Sequence, residues 1–247
     1  MNFYFKETYN MLSVYAFSDN AVLFIEKYRI KHDETLLPIV DEIWNLAQDN
    51  NSNLFDGVIL SCISDSSNRI TSVIDNYKFF FSKRIQPKIL EKIKIMPIAV
   101  SGIMECRDGF VFGKRSKFTT QDAGLWELVP SGGLDASIIK DNDIYDFKKQ
   151  LLTELHEEIG VNQNMVRTIT PFCYVIDKDA SVLDIGLYIY SDVSQEEILG
   201  CFRTVNSFEY ESIIFIPRNT ILDFIKIKRQ NISSISVAIM EFFLKKR

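Results

Sequence analysis

The sequence predicts an α+β fold with an N-terminal α/β extension, and three observations carry the expectation. Apolar runs of strand length recur along the chain, stretches with helical spacing stand between and after them, and polar turn residues separate the two kinds. With 47% hydrophobic residues in a chain of 247, there is also enough apolar material for a real core.

Residues 36–49, LLPIVDEIWNLAQD, set Leu37, Val40, Trp44 and Ala47 at helical spacing with Ile43 beside them, and NNSN at 50–53 breaks the pattern. GVILSCIS (57–64) and RITSVID (69–75) read as two strands joined by DSSN, a hairpin. SKRIQPKILEKIKI (82–95) mixes Lys83, Arg84, Lys88, Lys92 and Lys94 with apolar residues, which suits a solvated amphipathic surface or a phosphate-facing patch. A second unit begins near Met96, so the expected division is 1–95 and 96–247. There, PIAVSGIME (97–105) and FVFGKR (110–115) are strands around an RDG turn, followed by a loop holding Gly124, Trp126 and VPSGGLD (129–135). A helix is expected at about 143–159. VRTITPFCYVI (166–176), SVLDIGLYIYSDV (181–193) and SFEYESIIFIP (207–217) follow as strands, and NTILDFIKI (219–227) and SISVAIMEFFLKK (234–246) as helices. The last helix ends in lysines, where the helix dipole favours cations.

Charge and cysteine usage narrow the function classes. The formal net charge of −5 argues against non-specific nucleic-acid binding, which depends on neutralising phosphates. Cys62, Cys106, Cys173 and Cys201 form no CxxC pair, and His32 and His156 do not complete a zinc spacing with them, so reduced, buried thiols are expected. MNFYFKETYN at the start lacks the layout of a signal peptide, and no apolar run is long enough for a membrane helix. A reducing cytoplasm fits these features, and self-association into a homo-oligomer is left open.

The most informative stretch is TELHEEIGV, 153–161. On a helical wheel Ile144, Phe147, Leu151, Leu152, Leu155 and Ile159 share one broad face, which should lie on a sheet. The adjoining sector holds Asp143, Asp146, Gln150, Glu154, Glu157 and Glu158, with Glu158 at the edge of the apolar face. Glu154 with Glu157 and Glu154 with Glu158 stand three and four residues apart, and each such pair repels by about 0.2–0.5 kcal/mol on an exposed helix. A drier site strengthens the repulsion. The glutamates also sit near a helix C-terminus, where the dipole disfavours anions. Asp143 has a simpler explanation as the helix N-cap. A hard divalent cation would remove the conflict for the glutamates, since Mg²⁺ and Ca²⁺ take carboxylate oxygens.

The flanks sharpen this reading. SGGLD precedes the helix, its paired glycines able to bring backbone close to a ligand or metal, and Gly160 supplies a left-handed helix stop. This loop–helix–loop unit resembles the Nudix box, the signature of hydrolases acting on nucleoside diphosphates linked to another moiety. Thr153-Glu154-Leu155-His156-Glu157-Glu158-Ile159-Gly160-Val161 matches the second half of the pattern everywhere but its first position, where arginine has become Thr153. AVSG, DGFVFGKRS, GLWELVPSGG and FEYESIIFIP also look like the family, so the resemblance covers about 96–217. The family's upstream glutamate corresponds to Tyr145, and SIIKDND (137–143) reads as an insertion. NLFDG and the two strands after it resemble an extension of Nudix proteins that act on nucleotide sugars.

The resemblance implies a Nudix-type mixed sheet sandwiched between helices. It also implies a metal-dependent hydrolase of a small-molecule nucleotide, in which Glu154, Glu157 and Glu158 bind Mg²⁺ or Mn²⁺. Glu154 and Glu157 would be catalytic, Glu154 lying closest to the attacking water. Gly132 or Gly133 would add a backbone carbonyl and lie against substrate, and Glu209 is a further ligand or a plain surface glutamate. Losing the arginine would loosen Glu154, for which Thr153 offers one uncharged hydrogen bond, and Asp143 or Asp146 would stand in for the upstream acid. Arg115 either holds a phosphate or makes a structural ion pair, Trp126 stacks on a base or packs in the core, and His156 is a surface residue. The rival to a hydrolase is a Nudix-fold nucleotide sensor or scaffold without catalysis, and a third reading is a plain interaction domain that binds no Mg²⁺.

Overall fold

The computed structural model describes residues 6–9, 11–51, 54–119, 121–136, 143–205 and 208–246. The fold is α+β, with two mixed sheets and, among the described residues, six α-helices. Most of the expected insertion, 137–142, lies outside the described residues, as do the first five residues of the chain.

The larger sheet runs β1 (Lys6–Tyr9), β2 (Leu12–Ala16), β11 (Thr168–Asp177), β12 (Val182–Tyr190), β6 (Ile98–Cys106), β7 (Gly109–Arg115) and β13 (Tyr210–Ile216). Two short strands extend it, β8 (Trp126–Leu128) on β7 and β9 (Ser131–Gly133) on β6. Its pairings are antiparallel except that of β12 with β6.

Strand alternation sends successive side chains to opposite faces, and helices cover both. Ile103, Phe110 and Phe112 face α5 (Ile221–Lys228) and α6 (Ser234–Lys246), which bring Ile225, Ile239 and Phe243. Met104 and Val111, their neighbours in sequence, face α3 (Phe147–Ile159) and α4 (Gln195–Thr204) through Leu155, Ile159 and Ile198. The mixed sheet is therefore sandwiched between helices. The apolar stripe of α3 lies on it, with Leu151, Leu155 and Ile159 fully buried.

The smaller sheet runs β10 (Ile144–Tyr145), β3 (Val22–Arg29), β5 (Arg69–Asn76) and β4 (Val58–Asp65), with β3 and β5 parallel. The hairpin expected from the sequence is β4 with β5, antiparallel. α1 (Leu37–Asn50) and α2 (Tyr77–Ile85) pack together through Val40, Ile43 and Phe80, joined by Leu90 and Ile93. Of the basic residues near α2, Lys83 donates to the Ile93 carbonyl at 2.7 Å and Arg84, Lys88, Lys92 and Lys94 are exposed.

The two sheets trade strands across residue 96. β1 and β2 belong to the larger sheet, β2 pairing with β11, while β10 completes the edge of β3 in the smaller one. Leu23, Ile25, Leu60 and Ile70 of the smaller sheet share one buried cluster with Leu151, Val100 and Ile185.

This exchange shifts the start of the acidic helix. Residues 144 and 145 are drawn into strand pairing with Phe24 and Leu23, so α3 begins at Phe147 and its N-cap is Asp146, not Asp143. The Asp146 side chain accepts from the Lys149 amide at 3.0 Å, and Asp143 instead pairs with Lys27 at 3.0 Å. The helix stops at Gly160, which takes the expected left-handed conformation (φ 74°) and donates to the His156 carbonyl at 2.9 Å.

Candidate functional site

Register places the paired glycines under the acidic helix. β9 pairs with β6 as Ser131 with Ser101, Gly132 with Val100 and Gly133 with Ala99, which fixes the height of the SGG backbone. Above it, Ser131 N–H donates to both carboxylate oxygens of Glu158, at 3.2 and 3.3 Å. The Glu154 carboxylate lies against Gly132, where a Cβ would come within 2.5 Å of its Cδ. That close approach explains the glycine. A buried chain braces the loop from below, Ser131 Oγ to Ser101 Oγ at 3.0 Å and Ser101 Oγ to Asp184 Oδ2 at 3.0 Å.

The three glutamates occupy three environments. Glu158 is 2% exposed, Glu154 is half-buried, and Glu157 is exposed beside His156 in a groove between α3 and α4. Burial pushes Glu158 well above the usual carboxylate range, with Glu209, Glu127 and Glu154 adding to it. Burial also pushes Glu154 up to about 7, and Glu209, Glu157 and Asp135 add to that while the hydrogen bond from Gln150 opposes it. Glu209 thus acts on both glutamates, ahead of Glu157 on Glu154. It precedes β13, and its carbonyl accepts from the Ser116 amide at 2.6 Å. Among the described residues no Lys, Arg or His lies within ion-pair distance of Glu154, Glu157 or Glu158.

The fit to a hard divalent cation rests on Glu154 and Glu158: two carboxylates drawn partly or wholly out of water, Glu154 raising the proton affinity of Glu158, without a cationic partner among the described residues. Among the described residues, no three His, Cys, Asp or Glu side chains are placed together to hold a metal ion.

Arg115 lies at the end of β7 and is 15% exposed at its side chain. Its Nη1 donates to Glu127 Oε1 at 2.5 Å and its Nε to the Gln121 carbonyl at 2.9 Å, while Tyr210 donates to the same Glu127 oxygen at 2.7 Å. Glu127 is 5% exposed, so Arg115 is its only route to neutralisation among these contacts. Arg115→Ala is expected to cost about 3–5 kcal/mol by leaving that carboxylate buried without its counter-charge. Urea unfolding checks this, and an unchanged midpoint contradicts it.

Asp143 and Asp146 are engaged by Lys27 and by the Lys149 amide. The Thr153 hydroxyl donates to the Lys149 carbonyl at 3.2 Å, not to Glu154. Trp126 packs on the cluster around α5 and α6, with Lys114 Nζ 6.0 Å from its ring. Sequence reasoning missed Ser131, Glu127, Tyr210 and Asp184 as parts of the site. It placed Gln150 in the acidic sector without giving it a role, although its distance of one helical turn from Glu154 was the available signal.

The raised carboxylates set a pH dependence. Glu154 and Asp184 titrate at about 7 in the folded chain, both chiefly because of burial. Unfolded, they titrate at about 4. The folded state therefore holds these protons more tightly. The stability they contribute is complete below the unfolded value and is lost as pH rises through about 7. The melting temperature of metal-free protein is expected to fall between about pH 5 and pH 8. A flat or rising profile contradicts it.

All four cysteines are free, Cys106 and Cys173 buried and Cys62 and Cys201 partly so. Among the described residues no helix is long and apolar enough to cross a membrane.

No family model and no curated protein matches the sequence. Solved structures do. A Nudix hydrolase from M. smegmatis, RenU, is 12% identical, covering 60% of this chain and 84% of that one, with a TM-score of 0.42. A Nudix hydrolase from Nitrosomonas europaea is 12% identical over 61% of this chain and 90% of its own, with a TM-score of 0.40. A bifunctional NMN adenylyltransferase/ADP ribose pyrophosphatase from Francisella tularensis, complexed with AMP and a manganese ion, is 15% identical over 69% of this chain and 47% of its own, with a TM-score of 0.44.

Proposed function

We propose that this chain is a Mg²⁺- or Mn²⁺-dependent hydrolase that cleaves the diphosphate bond of a nucleoside diphosphate linked to another moiety, with a nucleotide sugar as the first substrate to try. One observation carries the reading: Glu154 and Glu158 are held out of water against the SGG loop with no protein cation beside them. Such an arrangement costs stability, which a bound cation recovers and a purely structural helix does not. The retained pattern of residues 154–161 supports the same reading.

Glu154 and Glu158 would hold the cation, with Glu157 and Glu209 at the exposed margin and the Gly132 or Gly133 backbone beneath. When bound, the cation supplies charge neutralisation for the diphosphate and polarises water. The chain's own residues supply positioning, which is most of what phosphoryl chemistry asks of a protein. Glu158 is locked by the Ser131 amide, and Glu154 Oε1 by Gln150. Glu154 Oε2 is then the atom that accepts the proton of the attacking water. The water oxygen bonds to one phosphorus, and the bridging oxygen leaves with the other phosphate. Arg115, stiffened by Glu127, would border the substrate phosphates.

Incubation with Mg²⁺ and a panel of diphosphate-linked nucleotides tests this. Cleavage of at least one member is expected. A nucleotide that raises the melting temperature without turnover points instead to a sensor that has kept the site.

A further inference from the structure

The chain departs from the Nudix pattern at Tyr145 and Thr153, and the structure joins the first of these to Glu154 through a residue the pattern does not specify. Thr153 is exposed and spends its hydroxyl on the Lys149 carbonyl. Gln150 is 7% exposed and lies one turn before Glu154. Its Nε2 donates to Glu154 Oε1 at 2.7 Å, and its Oε1 accepts from the Tyr145 hydroxyl at 3.0 Å. The ionised Glu154 carboxylate only accepts, so the amide then turns its nitrogen to Glu154 and its oxygen to Tyr145. The Tyr145 hydroxyl carries one proton and shares it between Gln150 Oε1 and the Asp135 carbonyl, which stands 2.8 Å away and anchors the chain to the backbone after the SGG loop. Tyr145 itself is fixed by pairing with Leu23 in the smaller sheet.

We infer that Gln150 is the residue that positions Glu154 for a divalent cation and that Tyr145 fixes Gln150 in turn, a neutral relay where the family places charged groups. The inference rests on the metal-site reading above. It gives the Glu154 carboxylate a partner where the pattern has the arginine, since Gln150 holds one oxygen from one side while Gly132 admits the group from the other. Groups that orient metal ligands in this way typically contribute about 10–100-fold in metal affinity.

Two variants and two readouts test the relay. Gln150→Met keeps the length of the side chain and donates nothing, and Tyr145→Phe removes a hydroxyl alone. Mn²⁺ binding is measured by electron paramagnetic resonance with ADP present, for wild type, both variants and Glu154→Gln. Gln150→Met is expected to weaken binding about tenfold or more, and Tyr145→Phe by a smaller factor. The second readout needs no metal: the Gln150 side-chain amide signal in a ¹⁵N–¹H spectrum, identified by its loss in Gln150→Met. It is expected to move in both Tyr145→Phe and Glu154→Gln. Wild-type Mn²⁺ binding that Glu154→Gln loses and Gln150→Met retains overturns the positioning role while leaving the proposed function standing. An amide signal that neither variant moves overturns the relay itself. No Mn²⁺ uptake by the wild type overturns both readings.

Discussion

Glu154→Gln is expected to lower diphosphate hydrolysis by at least about a hundredfold while raising the melting temperature of the metal-free protein at pH 8, above the value of about 7 at which Glu154 loses its proton. The two effects share one cause. The side chain is half-buried, its carboxylate is pushed up to about 7 by burial, and Glu209, Glu157 and Asp135 add to the repulsion. A neutral amide of the same shape removes that repulsion and with it the group that accepts a proton from water. A structural glutamate predicts the opposite sign of the stability effect, because its replacement would break a contact without relieving a charge. Assay of the folded variant against its melting curve separates the two. Loss of activity together with loss of stability contradicts the reading.

Gly132→Ala is expected to reduce activity and Mn²⁺ binding by about as much, through one added carbon. An ideal Cβ there falls 2.5 Å from Glu154 Cδ and 2.7 and 2.8 Å from its two oxygens. The strand cannot yield, since Gly132 is held in register opposite Val100 between Ser131 and Gly133, which pair with Ser101 and Ala99. The carboxylate must therefore leave the loop. Gly200→Ala is the matched control: nothing lies within 4 Å of its Cβ position, and alanine favours the α4 helix in which it sits. Full activity in Gly132→Ala would show that Glu154 does not work from this position.

Much of this architecture was legible because the pattern and the burial agree. The period of α1 at Val40 and Trp44, the hairpin of 57–64 with 69–75 and the C-terminal helices all emerge close to where spacing put them. The wheel that set Glu158 at the edge of the apolar face anticipated its burial. What was not legible depends on contacts distant in sequence. YKFFFSKRI, dense in aromatics that favour strands, forms α2 because its apolar side chains pack on α1. The two-residue β10 exists only because β3 offers an edge, and that pairing moved the N-cap from Asp143 to Asp146. Ser131, Glu127 and Asp184 entered the site through strand register, which no local pattern shows. Gln150 was visible on the helix, but its partner Tyr145 became visible only once the strand before the helix was in place.

The central claim is that a cation is the counter-charge for Glu154 and Glu158, and calorimetric titration of Mn²⁺ into the protein tests it most directly. The titration is run near pH 8, above the value of about 7 to which burial pushes Glu154, with a methylene-bridged diphosphate nucleotide that cannot be cleaved. Saturable uptake of Mn²⁺ is expected in the wild type, and it should be lost in Glu158→Gln, whose fold the Ser131 amide can still support. Absence of any uptake by the wild type, or equal uptake by the variant, would contradict the claim.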